Sequence, residues 1–343
     1  MNHRRRKTIV KIQDVASAAG VSVSTVSRVL NDKDDVSPET YQIVKGVIEK
    51  LGYTSGLAAR SLRSRRTNVI GLVLFNIVDP YSVQVLRGID RAIDELDYDL
   101  IVFTSGHFRM NQVTDRERRN VSLLDNSITD GVIVVAPAAS TFNTVSPIVV
   151  IDPNHENPDY TAVIAQNRDG TLAAMEYLIG LDHQRIGFIG GRPELQSAIQ
   201  RLQGYKDGLC KANLPVELDL IQVGDYSKDT GFLCAQKLLS LPRPPTAILA
   251  ANDQSAFGVY EAAQAAGLRI PTDLSVVGFD NIPETAYVTP PLTTVDQFID
   301  QMGFIATGLL LKLINEKELE NRIYTIPTQL IVRESCMPMP YNS

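Results

Sequence analysis

Asp14-Val15-Ala16-Ser17-Ala18-Ala19-Gly20-Val21-Ser22-Val23-Ser24-Thr25-Val26-Ser27-Arg28-Val29-Leu30-Asn31 reads as two short helices joined by a tight turn. Apolar residues at 12, 15, 16 and 19 form the stripe of a first helix. Gly20 permits the positive φ that stops it. Ser22 caps a second helix near 23–31, with Val26, Val29 and Leu30 inward. Ala16 is small where the two helices would cross. The outward residues Val23, Ser24, Thr25, Ser27, Arg28 and Asn31 are short polar, methyl-bearing or basic groups that suit a major groove. A generic helical hairpin is the plain alternative, and this face argues against it. Downstream, Ser37-Pro38-Glu39 opens a third helix with a cap, a first-turn proline and an acid. Tyr41, Val44, Val47, Ile48 and Leu51 give its buried face, and Gly52 ends it.

Charge supports a nucleic-acid role for this head. The net charge of −6 over 343 residues argues against one, but its distribution is uneven. Residues 1–66 hold 13 Lys/Arg against 6 Asp/Glu, and the rest of the chain is acidic. The stretch 54–66 is rich in Ser, Arg and Ala and too short to be a stable helix alone; it reads as a linker with conditional structure.

Beyond Asn68 the pattern changes. Apolar runs at 69–75, 100–103, 132–135, 148–151, 186–189, 247–250 and 276–279 alternate with helical stretches near 82–97, 115–126, 169–181, 197–212, 229–240, 253–267 and 297–315. Strand–helix alternation predicts parallel sheets with helices on both faces. Ile70-Gly71-Leu72-Val73 and Ile186-Gly187-Phe188-Ile189 echo one another, which suggests two similar α/β lobes with a ligand cleft between them.

Several classes find no support. Gly187-Phe188-Ile189-Gly190-Gly191 is not a dinucleotide-binding glycine pattern, and no phosphate-binding loop occurs. No glycosidase nucleophile motif is visible. Three cysteines and four histidines show no metal-ligand spacing, so neither metal nor cofactor is expected. The basic start Met1–Lys7 lacks a following apolar core, and no run is long enough to cross a membrane; the expected location is the cytoplasm. A periplasmic sugar-binding protein would share the two lobes but not the basic headpiece.

Gly20 through Asn31 resembles the recognition-helix signature of the lactose/galactose repressor family. Leu51-Gly52-Tyr53 and Ala59-Arg60-Ser61-Leu62 resemble the end of its headpiece and its hinge helix. Val276-Val277-Gly278-Phe279-Asp280-Asn281, Pro290-Pro291-Leu292-Thr293-Thr294-Val295 and Val332-Arg333-Glu334-Ser335 resemble its C-terminal core. Two departures stand out: Lys11 replaces the usual threonine before helix one, and Ser55-Gly56 replaces Pro-Asn at the hinge.

The resemblance implies a small all-α helix-turn-helix DNA-binding domain (1–54), a hinge (55–67) and a periplasmic-binding-protein-like α/β core of two parallel-sheet lobes (68–343). It implies DNA contacts from Ser22, Val23, Ser24, Thr25, Ser27, Arg28, Asn31, Tyr53 and Ala59. Leu62 is implied as a minor-groove wedge, which the flanking arginines suit; the bland reading is an ordinary buried leucine. Effector contacts carry over to Asp152, Ser197, Arg201, Asn252, Asp280 and Gln297, with Asn76 and Tyr81 from the other lobe. Asp280 and Asn252 offer acceptors and Arg201 a fork of donors, which fits the hydroxyls of a sugar. Asp152 is equally readable as a turn residue before Pro153. Asp253 reads mainly as a helix N-cap. The expected protein is a non-enzymatic homodimeric repressor on a pseudo-palindromic operator, released by a sugar inducer. A purine-type corepressor, and a sugar-binding protein without a DNA role, are the alternatives.

Overall fold

Two residues with left-handed backbone set the ends of the N-terminal helices in the computed structural model, Gly20 at φ 67° and Gly52 at φ 60°. The structure describes residues 10–30, 33, 35–53, 66–94, 96, 98–106, 110–125 and 128–339. Asn31, Ala59 and Leu62 lie outside them. The chain divides into two compact units, Met1–Thr67 and Asn68–Ser343.

The first unit is a three-helix bundle: α1 (Ile12–Ala19), α2 (Val23–Leu30) and α3 (Pro38–Leu51). Lys11 supplies no side-chain cap to α1, but its own N–H donates to the Asp14 carboxylate at 2.7 Å, half of a capping box. Ser22 Oγ accepts the N–H of Thr25 at 3.1 Å, and Ser37 Oγ that of Thr40 at 3.3 Å. Val15, Ala16, Val26, Val29, Val44 and Tyr53 form the buried centre.

The second unit contains two six-stranded sheets. The strands are β1 (Val69–Leu74), β2 (Asp99–Thr104), β3 (Gly131–Val135), β4 (Ile148–Ile151), β5 (Thr161–Ala165), β6 (Ile186–Ile189), β7 (Ile221–Gln222), β8 (Ala247–Ala250), β9 (Ser275–Asp280), β10 (Thr293–Asp296), β11 (Ile323–Ile326) and β12 (Gln329–Ile331). The helices are α4 (Pro80–Ile93), α5 (Met110–Leu124), α6 (Asn167–Gly180), α7 (Gln196–Lys211), α8 (Lys228–Leu239), α9 (Asp253–Ala265) and α10 (Ile299–Ile314).

One sheet runs β11-β5-β4-β3-β1-β2 and the other β12-β10-β9-β8-β6-β7, the same order strand for strand. All pairings are parallel except β10 with β12. The internal echo has a physical cause. Gly71 and Gly187 occupy equivalent strands, β1 and β6. A Cβ on either would come within 3.0 Å of a leucine methyl, Leu124 in one lobe and Leu238 in the other. The chain crosses between lobes three times, so α6 packs against α7 of the second lobe and α10 against α4 of the first.

All seven apolar runs are strands. The five strands without such a run, β5, β7, β10, β11 and β12, are short or mix polar residues into the pattern. Partnership across the sheet, rather than local hydrophobicity, makes them strands.

Candidate functional site

The loops after the strands of both lobes meet in a cleft of about 280 Å³. From the first lobe come Phe75, Asn76 and Asp79 after β1, Tyr81 in the first turn of α4, and Asp152 after β4. From the second come Arg192 after β6, Ser197 and Arg201 on α7, Asp225 and Tyr226 after β7, Asn252 after β8 and Asp280 at the end of β9. This is the carboxyl edge of both parallel sheets, where such folds hold ligands.

Arg201 is the centre of the site and is only 4% exposed. Its Nε donates to Asn167 Oδ1 at 2.8 Å, and its terminal nitrogens to Ala251 O, to Asp280 Oδ1 at 3.5 Å and to Gln297 Oε1 at 3.4 Å. The guanidinium stacks on Phe279, 3.8 Å from the ring centroid. A buried charge is tolerated when it is paired and hydrogen-bonded in this way.

Asp280 sits at φ 114°, a conformation that turns its carboxylate off the strand end. Oδ1 accepts from Gln297 Nε2 at 2.5 Å and from Arg201, while Oδ2 receives no donor from the described residues. Burial pushes this carboxyl up to about 7, against the pull of Arg201. Asp152, also left-handed at φ 53°, accepts from Ser197 Oγ of the opposite lobe at 2.9 Å. Burial raises its pKa as well, opposed by Arg201. The Tyr81 hydroxyl is buried and makes no hydrogen bond to a described residue, and burial with the nearby aspartates raises its pKa well above the usual phenol range. The Tyr226 hydroxyl is also buried and makes no hydrogen bond of normal geometry to a described residue, although Ser197 lies beside it. Buried hydroxyls are normally satisfied, so these two, both lining the cleft, are candidate ligand contacts.

Of the effector residues expected from sequence, Asn76, Tyr81, Asp152, Ser197, Arg201, Asn252 and Asp280 line this cleft together. Gln297 does not line it: 2% exposed, it stands behind Asp280 and Arg201 and orients both. Asn252, not Asp253, is the N-cap of α9, its Oδ1 accepting Ser255 N–H at 3.0 Å. Asn252 Nδ2 donates to Tyr226 O at 3.0 Å, so this amide also positions the tyrosine backbone. Asp253 is fully buried instead, receiving Thr294 Oγ1 at 2.6 Å and Ile282 N at 2.9 Å. Sequence reasoning missed Phe75, Asp79, Arg192, Asp225 and Tyr226. The only signal for them was position, each just beyond a strand.

In the bundle, Ser22, Val23, Ser24 and Arg28 are exposed, and Thr25 and Ser27 half-buried, on the side of α2 opposite Val26 and Val29. Arg28 pairs loosely with Asp35 at 3.4 Å, both side chains more than half exposed. Tyr53 is 9% exposed, with its ring in the bundle core and its N–H donating to Ile48 O at 3.0 Å.

Comparison with known proteins decides the family. Residues 11–55 match the model of bacterial regulatory proteins of the lacI family, and residues 175–336 that of a periplasmic binding protein-like domain. The chain is 32% identical over 332 residues to the probable transcriptional repressor ExuR of Bacillus subtilis (strain 168), spanning 95% of this chain and 98% of the relative. The chain belongs to the lacI family. It is a DNA-binding transcription regulator. The repressor PurR of Histophilus somni (strain 129Pt) is 33% identical over 335 residues, 94% of this chain and 98% of that protein. Among lacI-family structures, a lac repressor dimer bound to operator and the anti-inducer ONPF superposes with a TM-score of 0.82 at 27% identity, over 96% of this chain and all of that one. A CelR–cellobiose complex gives 0.70 at 28% identity, over 95% and 99%. These relatives are transcriptional repressors rather than enzymes. Among the described residues no helix is long and apolar enough to cross a membrane, and no group of three or more His, Cys, Asp or Glu is placed to hold a metal.

Proposed function

We propose that this protein is a homodimeric repressor of carbohydrate-utilisation genes, released from a pseudo-palindromic operator when a sugar fills the cleft. The observation that carries the effector class is a cleft lined by the Tyr81 and Tyr226 hydroxyls, which make no hydrogen bond to a described residue, together with Asp280, whose Oδ2 receives no donor from one. A sugar hydroxyl donates and accepts at once, so it satisfies such a mixed set. The cellobiose complex of the CelR relative supports the same reading. A purine corepressor would favour an aromatic face, and one face of the Phe75 ring is already taken by Arg192, 5.3 Å from its centroid.

On DNA, Ser22, Val23, Ser24, Thr25, Ser27, Arg28 and Asn31 serve the major groove, and Ala59 and Leu62 the hinge contact in the minor groove. Effector binding favours one arrangement of the lobes, and the two hinges of the dimer transmit it. The protein acts in the cytoplasm and leaves its ligand chemically unchanged.

The test is a thermal-shift screen of sugars, sugar derivatives and purines on the full chain, followed by operator titration with each hit. A sugar that raises the melting temperature and weakens DNA binding is the expected result. A purine that strengthens DNA binding overturns the inducer reading, and mass analysis showing ligand turnover overturns the non-catalytic one. Leu62→Ala should lower operator affinity with no change in melting temperature; a large drop in melting temperature instead makes Leu62 a core residue.

A further inference from the structure

The cleft contains two guanidinium groups, and the protein treats them in opposite ways. Arg201 is spent on four protein acceptors. Arg192, whose side chain is 19% exposed, makes no hydrogen bond to a described residue. Its one ion-pair contact among them is Glu194 Oε1, distant at 3.7 Å, and that oxygen is itself buried without a hydrogen bond. Asp152 and Glu117 feel its charge, but neither reaches ion-pair distance. The guanidinium lies over the Phe75 ring of the opposite lobe, at the cleft wall. A contact of this kind with a ring face uses none of the N–H donors in a conventional hydrogen bond.

A guanidinium presents five donors in a planar fork that matches a carboxylate two bonds at a time. Leaving such a fork largely withdrawn from water and unbonded is unfavourable unless a ligand completes it. A neutral sugar hydroxyl can accept a single bond from Arg192, but only a carboxylate takes the fork two bonds at a time and offsets its charge.

We propose that the effector is a sugar acid, whose carboxylate takes the Arg192 fork and displaces the weak contact to Glu194. The proposal rests on the sugar-effector reading above and narrows it. The charge is single rather than double because Asp79, Asp152, Asp225 and Asp280 line the same cleft. A phosphate dianion would meet about twice the repulsion from them.

The experiment is calorimetric titration of the full chain with matched hexoses, hexuronates and hexose 6-phosphates of gluco, galacto and manno configuration, repeated on Arg192→Gln and Arg192→Lys. One hexuronate is expected to bind at least about tenfold more tightly than its parent hexose, with the phosphate below the acid. Arg192→Gln should erase that preference and Arg192→Lys retain part of it. A neutral hexose binding as tightly as its acid, a phosphate binding best, or an acid preference surviving in Arg192→Gln overturns the proposal. The wild-type series decides by itself if the variants do not fold. A winning neutral hexose sinks only this inference, whereas binding of purines alone sinks the sugar reading with it.

Discussion

Gln297 donates its side-chain N–H to Oδ1 of Asp280 at 2.5 Å, and so turns the other carboxylate oxygen free for the cleft. The same amide accepts from Arg201 at 3.4 Å, which locks the donor and acceptor halves of the site to each other. A residue that lines no part of the cavity therefore sets its geometry.

Removing that amide should be felt by a ligand it never touches. Gln297→Ala is expected to lower effector affinity about tenfold while the chain stays folded, since one hydrogen bond to a buried charged group is lost. Calorimetry with the first effector hit and circular dichroism of the free variant check this. Unchanged affinity would show that Asp280 is oriented by its backbone alone.

Asp280 also makes stability depend on pH. Its carboxyl titrates at about 7 in the folded chain, raised by burial, and far lower once unfolded. The folded state therefore holds a proton that the unfolded state has lost. The stabilisation is full below the unfolded pKa of about 4 and is lost as pH rises through about 7. Asp253, raised by burial and by the charge of Asp280, shifts in the same direction. His183, lowered by burial, shifts the other way but is common to wild type and variant. Urea unfolding across this range should show wild type losing stability relative to Asp280→Asn. A pH-independent difference between the two would contradict the assignment.

Gly88 on α4 and Gly303 on α10 let two helices touch backbone to backbone. A Cβ at Gly88 would fall 1.8 Å from Asp300 O, and one at Gly303 would fall 2.3 Å from Val85 O. Gly88→Ala should destabilise the core by about 1–3 kcal/mol or more, because backbone cannot step aside as a side chain can. Chemical denaturation measures it. A neutral result would mean the helices slide apart freely.

On the recognition helix the two kinds of contact should separate. Arg28→Ala is expected to weaken binding to all sequences and lower the salt dependence by about one ion. Substitutions of Ser24, exposed at the start of α2 and bonded only to Ser22 among the described residues, should change which base is preferred. Binding-site selection on Ser24 variants checks this. The same preferred base across several substitutions would remove Ser24 from direct readout.

What could be read from the sequence alone was whatever neighbouring residues decide among themselves. Gly20, Ser22, Ser37-Pro38 and Gly52 mark helix ends through local backbone chemistry, so the bundle was legible before any contact was known. Strand–helix alternation and the Gly71/Gly187 echo did the same for the two lobes. The tertiary structure alone decided which groups in the cleft are spent and which are bare. Nothing in the sequence tells that Arg201 is held by four acceptors from distant parts of the chain while Arg192 has, among the described residues, only a distant ion-pair contact with Glu194. Likewise Asn252 and Asp253 are adjacent; the asparagine caps α9 through Ser255, and the aspartate is buried against Thr294 and Ile282. A hydrogen bond depends on where its partner ends up in space, and for Arg201 and Asp253 the partners lie dozens of positions away.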